Sequence, residues 1–221
     1  LGTTLLRFCA TRMLGPMENP MRVWWLSAGL ALYCLAQSAA AGTLLIVGDS
    51  ISAGFGLDSR LGWVSLLQTR LKDEGFDDQV VNASISGDTS AGGQARLPAL
   101  LAAHKPSLVV LELGGNDGLR GQPPQQLQQN LASMIESARQ SGAKVLLLGM
   151  RLPPNYGLRY TTAFAKVYEQ LATEKHVPLV PFFLEGIGGV PEMMQADGIH
   201  PAQGAQQRLL ENAWPAIKPL L

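Results

Sequence analysis

Thr43-Leu44-Leu45-Ile46-Val47-Gly48-Asp49-Ser50 sets an uninterrupted apolar run directly against a glycine and two polar side chains. A short apolar run bounded by turn residues reads as a strand inside a sheet that is covered on both faces. The polar residues then stand just past the strand's carboxyl end. Further apolar runs follow at Gln79 to Val81, Leu108 to Leu113, Val145 to Leu148 and Leu179 to Val180.

The stretches between these runs have helical periodicity. Trp63, Leu66, Leu67 and Leu71 recur on one face, then Leu127, Leu131, Met134, Ile135 and Ala138, then Tyr160, Phe164, Val167, Tyr168 and Leu171. A last helix is predicted to begin near Pro201, with Leu209, Leu210, Ala213, Trp214 and Ile217 turned to the core. Strands alternating with helices predict an α/β fold, a three-layer α/β/α sandwich around a five-stranded parallel sheet. No internal repeat, low-complexity tract or Pro/Ser-rich linker divides residues 41–221, so they are expected to form one domain.

The N-terminal part has another character. Met21 and Arg22 lead into the apolar run Val23 to Leu35, and Ser38-Ala39-Ala40 follows. A charged start, an apolar centre and small residues at the end predict a secretory signal peptide over 21–40, cleaved between Ala40 and Ala41. Gly29, Tyr33 and Gln37 interrupt the run, which falls short of the ~20 residues a membrane-spanning helix needs. Tyr33 before Cys34 disfavours lipid attachment. Residues 1–20 are read as an unstructured or non-native upstream segment. The mature chain is expected to be periplasmic or secreted, monomeric and without a stable membrane anchor.

The 221 residues are 47% apolar, which suffices for a substantial core, and 17 basic side chains balance 17 acidic ones. With no dense Lys/Arg cluster, nucleic acid is not an expected partner. Cys9 and Cys34 both precede the predicted cleavage site, so neither disulfides nor cysteine nucleophiles are expected in the mature chain. No His-x-x-x-His pair is present, and a metal site is disfavoured.

In an open parallel sheet, ligands bind beyond the carboxyl ends of the strands, and the unusual residues of this chain fall there. Gly48-Asp49-Ser50 alone suits a turn or helix cap as well as a nucleophile. Ser86-Gly87-Asp88-Thr89 follows the second run, where Gly87 can turn its N–H outward and Asp88 or Thr89 can cap the next helix. Gly114-Gly115-Asn116-Asp117 follows the third, with Asn116 offering an amide donor suited to a developing oxyanion. In Asp197-Gly198-Ile199-His200-Pro201, Asp197 can curl back to accept from Nδ1 of His200, leaving Nε2 free to take a proton from a serine. His104 and His176 lie beside lysines at helix ends and read as surface residues.

Gly48-Asp49-Ser50, Gly87, Gly115-Asn116-Asp117 and Asp197-x-x-His200 together resemble the SGNH, or GDSL, hydrolase superfamily in order and spacing, over the whole mature chain. Leu111 to Gly121 and Leu152-Pro153-Pro154-Asn155-Tyr156-Gly157 resemble its branch of bacterial periplasmic thioesterases, lysophospholipases and arylesterases. The resemblance implies a flavodoxin-like fold, no metal or organic cofactor, Ser50 as nucleophile, His200 as general base and acid, and Asp197 as its partner. It also implies an oxyanion hole built from the N–H groups of Ser50 and Gly87 and the side chain of Asn116. Ile51 stands where many members have leucine.

The loop Arg151 to Arg159 is expected to wall the acyl site, with Pro154, Asn155 and Tyr156 as substrate-binding residues. The substrate implied is a small acyl or aryl ester, an acyl thioester or a lysophospholipid. A carbohydrate acetyl esterase is the rival within the same chemistry, and a non-catalytic acyl-binding protein is the rival outside it. Gly48 to Gly54 lacks the Gly-Lys-Ser/Thr ending of a phosphate loop, and the Gly-x-Ser-x-Gly elbow of other lipases is absent from it.

Overall fold

A computed structural model describes residues 41–221; the predicted upstream segment and signal peptide lie outside the described residues. The apolar run from Leu44 to Val47 becomes the centre of strand β1 (Thr43–Gly48), and its four side chains are fully buried. Covering both faces of the strand explains the missing alternation. β2 (Gln79–Asn82), β3 (Leu108–Glu112), β4 (Lys144–Leu148) and β5 (Leu179–Val180) complete a parallel sheet in the order β2-β1-β3-β4-β5. Edge strand β2 is the least buried, which fits its short apolar run.

Among the described residues seven α-helices accompany the strands: α1 (Ser50–Ala53), α2 (Trp63–Asp73), α3 (Ser90–His104), α4 (Gly115–Leu119), α5 (Pro124–Gln140), α6 (Leu158–Lys175) and α7 (Gln206–Ile217). Helices α2 and α7 pack together, while α3, α5 and α6 form a second group, so both sheet faces are covered. The buried faces are those set by the 3.6-residue repeat: Trp63, Leu67 and Leu71 on α2, and Leu127, Leu131, Met134, Ile135 and Ala138 on α5. Each large side chain so buried contributes about 1.5–3 kcal/mol. The sheet and helix layers are those expected of a three-layer α/β/α sandwich.

The last helix starts later than predicted. Pro201 pairs with Met194 in an isolated antiparallel bridge, and the Ala202 N–H donates to the Met193 carbonyl, so this stretch is held extended. A 3-10 turn over Gln203–Ala205 then leads into α7. Two helical turns, α1 and α4, occur where loops were expected. The chain leaves β1 toward β2 on one side and β3 on the other, so the strand order reverses at β1/β3 and opens a crevice at their carboxyl ends.

Candidate active site

Gly48 ends β1 opposite Glu112 of β3, and a Cβ there would lie 2.7 Å from Glu112 Oε2 and 2.9 Å from Ser52. Only glycine lets the chain turn so close to the neighbouring strand. Asp49 then caps α1, its Oδ1 accepting the Ile51 N–H at 3.0 Å. Ser50 becomes the first helical residue, and the geometry of a helix start leaves its N–H without an intrahelical acceptor. Its side chain meets that of a residue 150 positions away: Ser50 Oγ is 2.9 Å from His200 Nε2.

Behind His200, Asp197 Oδ2 lies 2.6 Å from Nδ1, while Oδ1 accepts the N–H groups of Ile199 at 2.9 Å and His200 at 3.0 Å. The left-handed Gly198 (φ 67°) lets the loop curl this tightly. These hydrogen bonds, the ring's first, lower the Asp197 carboxyl to a pKa of about 2. A carboxylate in that position accepts from Nδ1–H and so presents Nε2 to Ser50 as an acceptor.

Asn116, on α4, stands across the crevice. Its Nδ2 donates to Asp49 Oδ2 at 3.1 Å, which fixes the amide orientation and leaves the second N–H available. Gly87 has a left-handed φ of 80°, and its carbonyl accepts from Arg120 at 2.9 Å. The fold brings Ser50, Asn116 and His200 to one cavity of about 540 Å³; Gly87 lies outside its lining.

The sequence profile of the GDSL-like lipase/acylhydrolase family matches residues 46–208, a span that holds every one of these groups. The chain belongs to that family. Among its relatives, esterase TesA of Pseudomonas aeruginosa is 70% identical over 201 residues, covering 91% of this chain and all of the relative. Thioesterase 1/protease 1/lysophospholipase L1 of Escherichia coli K12 is 48% identical over 185 residues, 84% of this chain and 88% of the relative. A crystal structure of TesA superposes with a TM-score of 0.80 at 72% identity, covering 81% of this chain and 99% of that one. This GDSL hydrolase is thus a carboxylic ester hydrolase.

The cavity of the GDSL hydrolase is walled by Leu119, Met150, Leu152, Phe182, Leu184 and Met194, with Pro153 and Pro154 along one edge. Of the three substrate-loop residues expected from sequence, Pro154 reaches it. Tyr156 turns away: its hydroxyl donates to the Leu119 carbonyl at 3.1 Å, and its ring lines a separate hollow. Asn155 belongs to neither lining. Ile51 and Leu119 line the same cavity as Pro154.

Beneath the GDSL turn lies a polar cluster that sequence reasoning missed. Glu112 is fully buried, and its Oε2 accepts from Ser52 Oγ at 2.6 Å, Ser52 N at 3.2 Å and Asp49 N at 3.4 Å. Trp63 Nε1 donates to the same Ser52 hydroxyl at 3.1 Å. Burial and then the charge of Asp49 push the Glu112 carboxyl well above the ordinary range, and burial chiefly lifts Asp49 to about 6. An acidic residue inside the run Leu108 to Leu113 was the available signal. Asp117 is buried as well, accepting from the hydroxyl and N–H of Ser90, so it pins the start of α3 to α4. Thr89 caps α3 through the Gly92 N–H, while Asp88 pairs with Arg96.

Proposed function

We propose that Ser50 is the nucleophile of a secreted esterase and thioesterase, with His200 as its base and Asp197 orienting the imidazole. The observation that carries this reading is the pair of contacts on one ring, Ser50 at 2.9 Å from Nε2 and Asp197 at 2.6 Å from Nδ1. As Ser50 Oγ attacks the acyl carbonyl, His200 Nε2 takes the hydroxyl proton and the carbonyl oxygen becomes negative. The N–H of Ser50 and the free N–H of Asn116, both residues of the cavity lining, are the donors that stabilise it, and the Gly87 N–H is assigned as the third on the family's motif order alone. His200 then returns the proton to the departing alkoxide or thiolate. Water, deprotonated by the same nitrogen, attacks the acyl-enzyme and releases the acid and Ser50.

The apolar walls suit the acyl portion of the substrate. The relatives, an esterase and a thioesterase 1/protease 1/lysophospholipase L1, support acyl esters, acyl thioesters and lysophospholipids as the substrate class. Secretion rests on the charged, apolar and small-residue order of 21–40. No helix among the described residues is long and apolar enough to cross a membrane.

A chain-length series of acyl esters and thioesters, with a lysophospholipid and acetylated xylan, run on wild type and Ser50→Ala, tests the assignment. Turnover of the ester, thioester and lysophospholipid that disappears in the variant is the expected result. Preference for acetylated xylan would move the enzyme to carbohydrate substrates.

A further inference from the structure

His200 sits on a stretch outside any helix or strand, between the 3-10 turn Pro191–Met193 and that over Gln203–Ala205. Its ring must nevertheless hold a fixed position over Ser50, since proton transfer depends on distance and direction. Asp197 cannot supply that alone, being exposed and part of the same loop. Something must fasten this loop to the turn that carries Ser50.

Gln195 makes the connection. Its N–H donates to the His200 carbonyl at 2.7 Å and its carbonyl accepts the Gly198 N–H at 2.9 Å, closing the loop on itself. Its side-chain Nε2 donates to the Pro201 carbonyl at 3.1 Å and, across 140 residues of sequence, to the Phe55 carbonyl at 2.7 Å. Phe55 is tied to the nucleophile in turn, its N–H donating to the Ser50 carbonyl at 3.0 Å. The Phe55 ring lies against the His200 imidazole, with centroids 4.4 Å apart and planes inclined by 33°. Gly56, at φ 75°, leaves the space that Gln195 Oε1 occupies.

We propose that Gln195 and Phe55 form a clasp that positions His200 over Ser50, Gln195 as the tether and Phe55 as the surface on which the imidazole rests. The inference builds on the reading of His200 as the base of Ser50. Neither residue touches the acyl carbon; both act through the imidazole. Half of the Phe55 surface is exposed (49%), so its loss leaves the core intact.

The test uses Gln195→Met, which keeps length and removes both donors, and Phe55→Leu, each made in wild type and in His200→Ala. With a p-nitrophenyl ester, either change lowers kcat by about 10- to 100-fold at unchanged KM in the wild-type background, the scale of a small misplacement of a catalytic group. In the His200→Ala background neither change lowers the residual rate further, because the residue they position is gone. Unchanged kcat in both single variants, or equal losses with and without His200, would overturn the clasp. Full activity of His200→Ala itself would instead overturn the assignment of the base, so the two failures are distinguishable. Should Gln195→Met not fold, the exposed Phe55→Leu carries the same comparison.

Discussion

Asn116 Nδ2 donates to Asp49 Oδ2 across 3.1 Å, joining the helical turn after β3 to the turn after β1. Asp49, the residue preceding the proposed nucleophile Ser50, therefore aims the amide on the opposite wall of the site. Removing that amide leaves the helix start and Ser50 in place. Asn116→Ala is expected to lower kcat by about 10²- to 10³-fold, the usual effect of losing one oxyanion donor, with little change in thermal melting. Steady-state kinetics beside a melting curve decide it.

Asp49 also gives the fold a pH signature. Burial raises its pKa from the ordinary 3.8 to about 6. Between those values the native state keeps a proton that the unfolded chain releases, so this group's contribution declines as pH rises from near 4 through 6. The expected size is on the order of 2–3 kcal/mol. Asp197 has the opposite sign: its pKa is lowered to about 2, so its contribution is present above the ordinary 3.8 and fades as pH falls toward 2. Urea unfolding at pH 4 and pH 7 should show a relative loss at pH 7 in wild type that Asp49→Asn diminishes.

Burial, and then the charge of the neighbouring Asp49, push the Glu112 carboxyl well above the ordinary range and so favour its neutral form. Glu112→Gln, nearly the same shape and uncharged, is expected to fold and to keep most of its activity. Glu112→Ala strands the Ser52 hydroxyl and N–H and the Asp49 N–H that now donate to Oε2. Unpaired buried groups cost about 1–3 kcal/mol each, so this variant should melt well below wild type and lose activity with its fold. Calorimetry of the pair separates the two outcomes.

Gly118 lies on α4 against Leu152 and Phe164, where a Cβ would fall 2.8 Å from the Phe164 ring. Gly118→Ala should destabilise the protein by about 1–3 kcal/mol, the range for overpacking. The lost space lies beside the cavity wall at Leu152, so KM for longer acyl chains should rise as well, which a chain-length series measures.

The sheet was legible because covered parallel strands are nearly all apolar: Leu44 to Val47 and Leu108 to Leu111 have no other reading once helices flank them. The convergence of Ser50, Asp197 and His200 was legible because each stands near a glycine in a loop at the sheet edge, in residue types that can form a hydrogen-bonded chain. Glu112 was hidden, since a single carboxylate in an apolar run gives no sign of the Ser52 and Asp49 groups that face it. The direction of Tyr156 was hidden too: it depends on the Leu119 carbonyl, 37 residues away in sequence. The Gln195 contact with Phe55 spans 140 residues and leaves no local pattern. The start of α7 was misplaced because Pro201 suits a helix's first turn as well as the bridge with Met194 that it forms.

In the proposed mechanism Ser50 is made nucleophilic by His200. A fluorophosphonate probe followed by peptide mass mapping tests it most directly, on wild type, Ser50→Ala and His200→Ala. One adduct on the Ser50 peptide of wild type, none in Ser50→Ala and much slower labelling in His200→Ala is the predicted result. An adduct on another residue, or labelling of His200→Ala at the wild-type rate, would contradict the account.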